Sequence, residues 1–250
     1  MTVAISLDRV SRRFGGLFAV REVSMEVRVG ERLAILGPNG AGKSTLFNLI
    51  SGDVRPSAGK ITLFSRDVTL APAYRRSRAG LARTYQVSAL FKELDVAQNI
   101  YLGMLGGRSG HYNPLKQVER DEASLQRAAA IARSVGLEAR FRTPVTELSH
   151  GENRQLELAL VLASGPRVIL LDEPAAGLGP NERIRLRTLL HGLPASITLI
   201  LVEHDMDIAL RVAHRVAVLD NGRLVAQGSP QEITANPLVQ EIYLGTRHRA

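Results

Sequence analysis

The chain has 250 residues, 45% hydrophobic and 22% charged, and no cysteine, which is enough for a sizeable core and excludes disulfides and thiolate metal sites. No run approaches the roughly 18 apolar residues of a membrane span, and the opening MTVAISLDRVSRRF lacks the basic and long apolar regions of a signal peptide, so a cytoplasmic protein is the default expectation. The net charge of +8 suits nucleotide, anionic lipid or nucleic acid, but 4% aromatics and no Trp argue against stacking platforms for single strands.

In chain order, the alternating segments AISLDRV (4–10), REVSMEVRV (21–29) and KITLF (60–64) predict short strands suited to antiparallel pairing. The charge runs SRRF and YRRSR read as solvated faces. Between these strands RLAIL (32–36) is a short apolar strand that ends at a glycine loop, and TLFNLISG continues as a helix. From about residue 90 to residue 164 the pattern is mostly helical, with a Gly-rich break at GMLGGRSGHYNP. VERDEASLQRAAAIARSVGL (118–137) predicts an amphipathic helix ending at Gly136. In LSHGENRQLELA, Ser149 and Glu152 predict a capping box that opens a further helix. The free N–H groups of such a helix start equally suit an anion, and the local sequence leaves the two readings open. RVILLDEP and ITLILVEHD are continuous apolar runs, as expected of strands buried on both faces of a parallel sheet. Both end in acidic residues. Asn181–Leu190 is helical, and VAVLDNGRLVAQG predicts a hairpin turning at Asn221-Gly222. The expected class is α/β: one unit over residues 1–250, strand-rich at the start, with a helical subdomain at about 90–164 inserted into the core.

GPNGAGKST, Gly37–Thr45, carries the chemistry most specifically. It matches G-x-x-x-x-G-K-[ST] directly after a strand and before a helix. The backbone N–H groups of Gly37, Pro38's neighbour Asn39, Gly40, Ala41 and Gly42 would curl around phosphates. Lys43 would reach the β and γ phosphates and Ser44 would ligate Mg²⁺, with Thr45 beside it. Asp172, ending the strand VILLD, is placed as a carboxylate that holds Mg²⁺ directly or through water. Glu173 after it is placed to activate a water for attack on the γ-phosphate. Gln86 and His204 each follow a predicted strand end, and taken alone each is an ordinary polar residue. The six histidines, 111, 150, 191, 204, 214 and 248, show no metal-ligand spacing.

Taken together, the phosphate loop, Gln86, LSHGE, VILLDEP, AAGLGP and His204 stand in the order found in the nucleotide-binding subunits of ABC transporters, which the chain resembles over essentially its full length. The resemblance implies a RecA-like P-loop NTPase core with an antiparallel β subdomain and an inserted helical subdomain. It implies ATP hydrolysis with Mg²⁺, with Gln86 and His204 joining Glu173 at the reacting phosphate and Gln86 also at the metal. Phe14, 23 residues before Gly37, falls where the family places an aromatic against adenine. Ser149 and the N–H groups around Gly151 would bind the γ-phosphate of ATP held by a second ATPase subunit.

The sequence departs from the family at three places. His150 stands for a Gly of the signature and Glu152 for Gln, a charge that the capping box or Arg154 would have to hold. Gly179 stands where many members carry Asp. The start RFGGLFAV, DEPAAGLGP and the ending NPLVQEIYLG are similar to the ATPases of branched-chain amino acid importers. The resemblance thus implies a peripheral subunit on the cytoplasmic face of a bacterial inner membrane, working with transmembrane permeases and, indirectly, a periplasmic solute-binding protein, and not with nucleic acid. Urea or amide importers, lipid or lipopolysaccharide exporters, non-transport ABC proteins and a nucleotide switch without turnover are the other readings.

Overall fold

The computed structural model describes residues 2–84, 90–106 and 122–245. Its centre is a six-stranded sheet of β3 (Arg32–Leu36), β6 (Leu81–Arg83), β7 (Val168–Asp172), β8 (Thr198–Val202), β9 (Arg215–Asp220) and β10 (Arg223–Gly228), in the order β10-β9-β3-β8-β7-β6. The strands from β9 through β6 pair in parallel, and β10 closes the edge antiparallel to β9. Every residue of β7 and β8 is buried, which is why those runs read as continuous apolar sequence. Asn221 and Gly222 take the positive φ angles, 46° and 76°, of the expected tight turn.

The sheet's side chains alternate between two cores. Ala34, Leu36, Ile169 and Leu171 face one cluster, which contains residues of α3 (Val96–Gly106), α4 (Glu122–Ser134), α5 (His150–Ala163), α6 (Pro180–His191) and α7 (Met206–Val212). Leu33, Ile35, Leu170 and Val202 face the other, shared with α1 (Lys43–Ser51) and the antiparallel strands. The helices α3, α4 and α5 pack on one another. Because their apolar faces belong to the same cluster as one face of the sheet, they are not a separately cored unit. Residues 118–121 of the predicted α4 lie outside the described residues, and Gly136 takes a left-handed φ of 78° just past the helix.

The second sheet is antiparallel, in the order β2-β1-β4-β5, from β1 (Val3–Phe14), β2 (Leu17–Arg28), β4 (Ala58–Leu63) and β5 (Arg66–Asp67). The first two strands are longer than their alternation predicts. Register shifts along the β1–β2 pair, with Arg9 on β1 at φ 46° and Glu22 on β2 at φ 50°, interrupt the two-residue period that the prediction used. Phe64 was expected in β4 but sits at φ 48° in the β4–β5 turn. YRRSR lies in the short helix α2 (Ala73–Arg78), where Tyr74, Arg75, Ser77 and Arg78 are exposed as expected and Arg76 is the exception. Arg76 is 1% exposed and donates to the Leu49 and Ile50 carbonyls at 2.6 and 2.8 Å, so it satisfies carbonyls at the end of α1 that the helix cannot use. Burial pulls its pKa down to about 10, against the opposing charge of Asp53. The last described elements are α8 (Pro230–Ala235) and α9 (Pro237–Gly245). Among the described residues no helix is long and apolar enough to cross a membrane.

Candidate nucleotide site

Ligands of parallel sheets bind beyond the carboxyl ends of the strands, and the predicted motifs gather there. The phosphate loop leaves β3 between β8 and β9 and enters α1 at Gly42. Gly42 has φ 97°, and a Cβ on it would stand 2.2 Å from the Ala19 carbonyl of β2, so only glycine fits. Lys43, 5% exposed, folds back so that its ammonium donates to the carbonyls of Gly37 at 2.7 Å and Pro38 at 2.9 Å. An ammonium has three donors, and two of them fix its position while the third stays for a ligand. Burial holds its pKa below the ordinary lysine value, and the carboxylates of Glu173 and Asp172 act in the opposite direction.

The register Asp172↔Val202 sets β7 and β8 level. Glu173, one residue past β7, and His204, two past β8, therefore leave the same sheet edge together. Their side chains meet, His204 Nε2 to Glu173 Oε1 at 2.7 Å. Glu173 is held at φ 48°, a costly conformation for a branched backbone position, and its N–H is tied to the Val202 carbonyl at 2.9 Å. Strain of this kind is retained where surrounding structure fixes it, often at functional sites. One open cleft is lined by Asn39 through Thr45, Glu173, His204 and Asn221.

Asp172 lies just behind, with a side chain 4% exposed. Its Oδ2 accepts from Arg83 at 2.8 Å, while its Oδ1 is buried with no hydrogen-bond partner. Such an orphan carboxylate oxygen next to Glu173, which lines the cleft together with Ser44, fits a hard divalent cation that would complete its shell with phosphate and water oxygens.

At the cleft's other wall stand Leu17, Phe18 and Ala19 of β2. Phe14 is not among the lining residues. Its ring is half exposed, with the Arg12 guanidinium 4.4 Å from the centroid. Phe18, which the sequence did not single out, is the aromatic that borders the cleft. Gln86 lies outside the described residues. Two further contacts were also missed by sequence reasoning. The Tyr243 hydroxyl on α9 takes a backbone hydrogen bond from Gly37, against the burial that pushes its pKa up. Glu203, buried beside the site, accepts from the Ala175 N–H at 2.9 Å, and burial raises its carboxyl above the ordinary range. No spacing rule marks either residue; a carboxylate inside the apolar run ITLILVEHD was the one visible signal.

The start of α5 forms the predicted capping box. Glu152 N–H donates to Ser149 Oγ at 3.2 Å and Ser149 N–H to Glu152 Oε2 at 2.8 Å. The cation that holds Glu152 is Arg140, at 2.9 Å, and not Arg154, which pairs with Glu157. These bonds, above all the one from Ser149, keep the Glu152 carboxyl below its ordinary pKa. The Glu182 side chain lies over Gly151, so that a Cβ there would stand 2.2 Å from Glu182 Oε1 and would displace that carboxylate. Glu182 in turn accepts from the Gly179 N–H at 2.9 Å, and His150 Nε2 lies against Gly177. A pocket between α5 and α6 includes Ser149, Gly151, Glu152 and Glu182; it shares no residue with the phosphate-loop cleft.

Residues 20–176 match the ABC transporter family, and residues 223–249 match the branched-chain amino acid ATP-binding cassette transporter family. The high-affinity branched-chain amino acid transport ATP-binding protein LivG of Salmonella typhimurium is 36% identical over 248 residues, 96% of this chain and 97% of LivG. The lipopolysaccharide export system ATP-binding protein LptB of Acidithiobacillus ferridurans is 39% identical over 227 residues, 90% of each chain. Among solved structures, the ADP conformation of MJ1267, an ATP-binding cassette of an ABC transporter, superposes with a TM-score of 0.85 at 28% identity, over 98% of this chain and all of that one. The expected RecA-like core with antiparallel and helical parts is therefore the fold, and the chain belongs to the ABC transporter ATP-binding family, as a nucleotide-binding subunit that hydrolyses ATP.

Proposed function

We propose that the chain, acting as one domain over residues 1–250 with its helical part at about 90–164, powers uptake of branched-chain amino acids. The observation that carries the ATPase chemistry is the convergence of Lys43, Ser44, Glu173 and His204 on one cleft. ATP lies with its phosphates in Gly37–Thr45 and its adenine toward Phe14 and Phe18. Glu173 accepts a proton from the water that attacks the γ-phosphorus, while the bond from that phosphorus to the β–γ bridging oxygen breaks. His204 holds Glu173 Oε1 in aim, and Gln86 completes the water and metal environment. Ser44 and Asp172 would hold Mg²⁺, whose charge would offset that of the β and γ oxygens.

Ser149 and the amides near Gly151 act on the nucleotide of a second ATPase subunit. The separate lining of the α5 pocket and the phosphate-loop cleft supports this division between chains. The pair sits on transmembrane permeases at the cytoplasmic face of a bacterial inner membrane, with a periplasmic binding protein delivering solute. The solute assignment rests on the match of residues 223–249 and on the likeness to LivG. Lipopolysaccharide export, supported by the likeness to LptB, is the second reading; urea or amide uptake is the third. Reconstitution with the permeases encoded beside this chain's gene tests them. ATP-dependent leucine uptake into vesicles is the expected result; uptake of urea or amides alone, or extraction of lipopolysaccharide, would replace it.

A further inference from the structure

Arg83, the last residue of β6, is a buried cation that the proposed reaction does not use. Its side chain is 9% exposed. One terminal nitrogen donates to Asn48 Oδ1 at 2.6 Å, Ser51 Oγ at 3.1 Å and Asp53 Oδ2 at 2.9 Å. The other donates to Asp172 Oδ2 at 2.8 Å. The Phe47 ring lies 5.6 Å from its carbon. Asn48 and Ser51 belong to α1, whose first two residues are Lys43 and Ser44. A single guanidinium therefore ties the helix that carries Ser44 to the strand that carries Asp172. It also stands between two carboxylates, and leaves Asp172 with one oxygen engaged and the other, Oδ1, open.

We propose that Arg83 is a positioning residue that makes binding of the divalent cation conditional on nucleotide. The proposal rests on the reading of Asp172 as a metal-holding carboxylate. Mg²⁺ needs about six oxygens and gives up water reluctantly. Next to a guanidinium that is always charged, one carboxylate oxygen and one serine hydroxyl are a poor site for a bare dication. Phosphate oxygens of a bound nucleotide supply both the missing ligands and the missing negative charge. Without Arg83, Asp172 and Asp53 lose the cation they share, and the local balance shifts toward the negative charge that attracts a hard cation, against the remaining Lys43 near Asp172 and Arg76 near Asp53. With Arg83, the aim of Asp172 Oδ1 is also fixed relative to Ser44. A purely structural ion pair would make no distinction between the nucleotide-free and nucleotide-bound metal affinities.

Mn²⁺ titrations of the full chain, followed by the electron paramagnetic resonance of the free ion, read this without turnover. They are run without nucleotide and with a non-hydrolysable ATP analogue. In the wild type, Mn²⁺ binds with the analogue and not without it. In Arg83→Gln, nucleotide-free binding appears, so that the ratio of the two affinities falls about 10- to 100-fold, the range typical of lost outer-shell partners. Arg83→Lys, which keeps the charge, excludes free Mn²⁺ as the wild type does. Asp53→Asn in the Arg83→Gln background reverses the gain. The inference is overturned if the wild type binds Mn²⁺ equally with and without the analogue, a measurement that needs no variant to fold. It is also overturned if folded Arg83→Gln keeps the wild-type ratio. Asp172→Asn separates the two levels. If it leaves Mn²⁺ binding with the analogue intact, the metal role of Asp172 fails; if it abolishes that binding while Arg83→Gln changes nothing, only the Arg83 inference fails.

Discussion

The phosphate loop and the start of α5 are both helix N-termini suited to anions, yet the fold treats them in opposite ways. At the loop, the protein's own groups prepare a place. Lys43 is anchored by two carbonyls with a donor to spare, and Gly42 admits the close approach of β2. At α5, the protein's own groups occupy the place. Ser149 and Glu152 satisfy each other, Arg140 neutralises Glu152, and Glu182 covers Gly151. A site that is already filled by a cap engages a phosphate only if the phosphate offers more than the cap. That is the behaviour expected of an element that meets its ligand when a partner arrives. The difference teaches that the same capping chemistry can be a standing site or a conditional one, according to what packs around it.

The largest expected effect breaks catalysis and leaves the comparison intact. Glu173→Gln keeps the shape of the residue but cannot accept a proton, so hydrolysis falls about 10²–10⁴-fold while ATP still binds. Near-normal phosphate release by this variant would remove Glu173 from the role.

Removal of the prepared cation attacks one side of the comparison. Lys43→Ala loses a charge-assisted hydrogen bond of about 1.5–3 kcal/mol, and affinity for a fluorescent ATP analogue should drop about 10- to 100-fold. Unchanged affinity would mean that the loop amides bind phosphate unaided.

The other side is addressed by Ser149→Arg in the Glu173→Gln background. The Glu173→Gln chain is expected to dimerise with ATP in light scattering; a bulky cation at the start of α5 should prevent that dimer and leave ATP binding to the phosphate loop as it was. Equal dimerisation of the single and double variants would reduce the capping box to a cap.

The smallest effect sharpens the picture of a filled site. The Glu152 carboxyl titrates below its ordinary value in the folded chain, so its contribution is present above the unfolded value and lost as pH falls through the folded one. Glu152→Gln keeps a capping acceptor but loses the charge beside Arg140 and the helix start, so it should be less stable than the wild type near pH 6 by about 0.3–1 kcal/mol, and the gap should close as pH falls through the folded value of the carboxyl. Thermal melts that stay parallel across that range would show that Glu152 caps without its charge.

The periodicities of the chain determined most of the fold by themselves. Fully buried runs such as VILLD and TLILV announce central strands, because both faces are covered and the side chains are apolar except at the strand ends, Asp172 and Thr198. Asn221-Gly222 announces a hairpin, and Ser149 with Glu152 a helix start, because these act within a few residues of themselves. The phosphate loop, Asp172 and Glu173 were legible for the same reason: backbone curvature and strand ends place them. The lengths of β1 and β2 were not, since bulges at Arg9 and Glu22 interrupt the two-residue period. What the tertiary structure alone decided are the partners of long, flexible charged side chains. Arg83 reaches Asp172 across 89 residues of sequence, Arg76 is buried against the end of α1, and Glu152 chooses Arg140 over the nearer Arg154. Such pairings depend on which strands lie side by side and which helix ends expose carbonyls, quantities that no local spacing encodes.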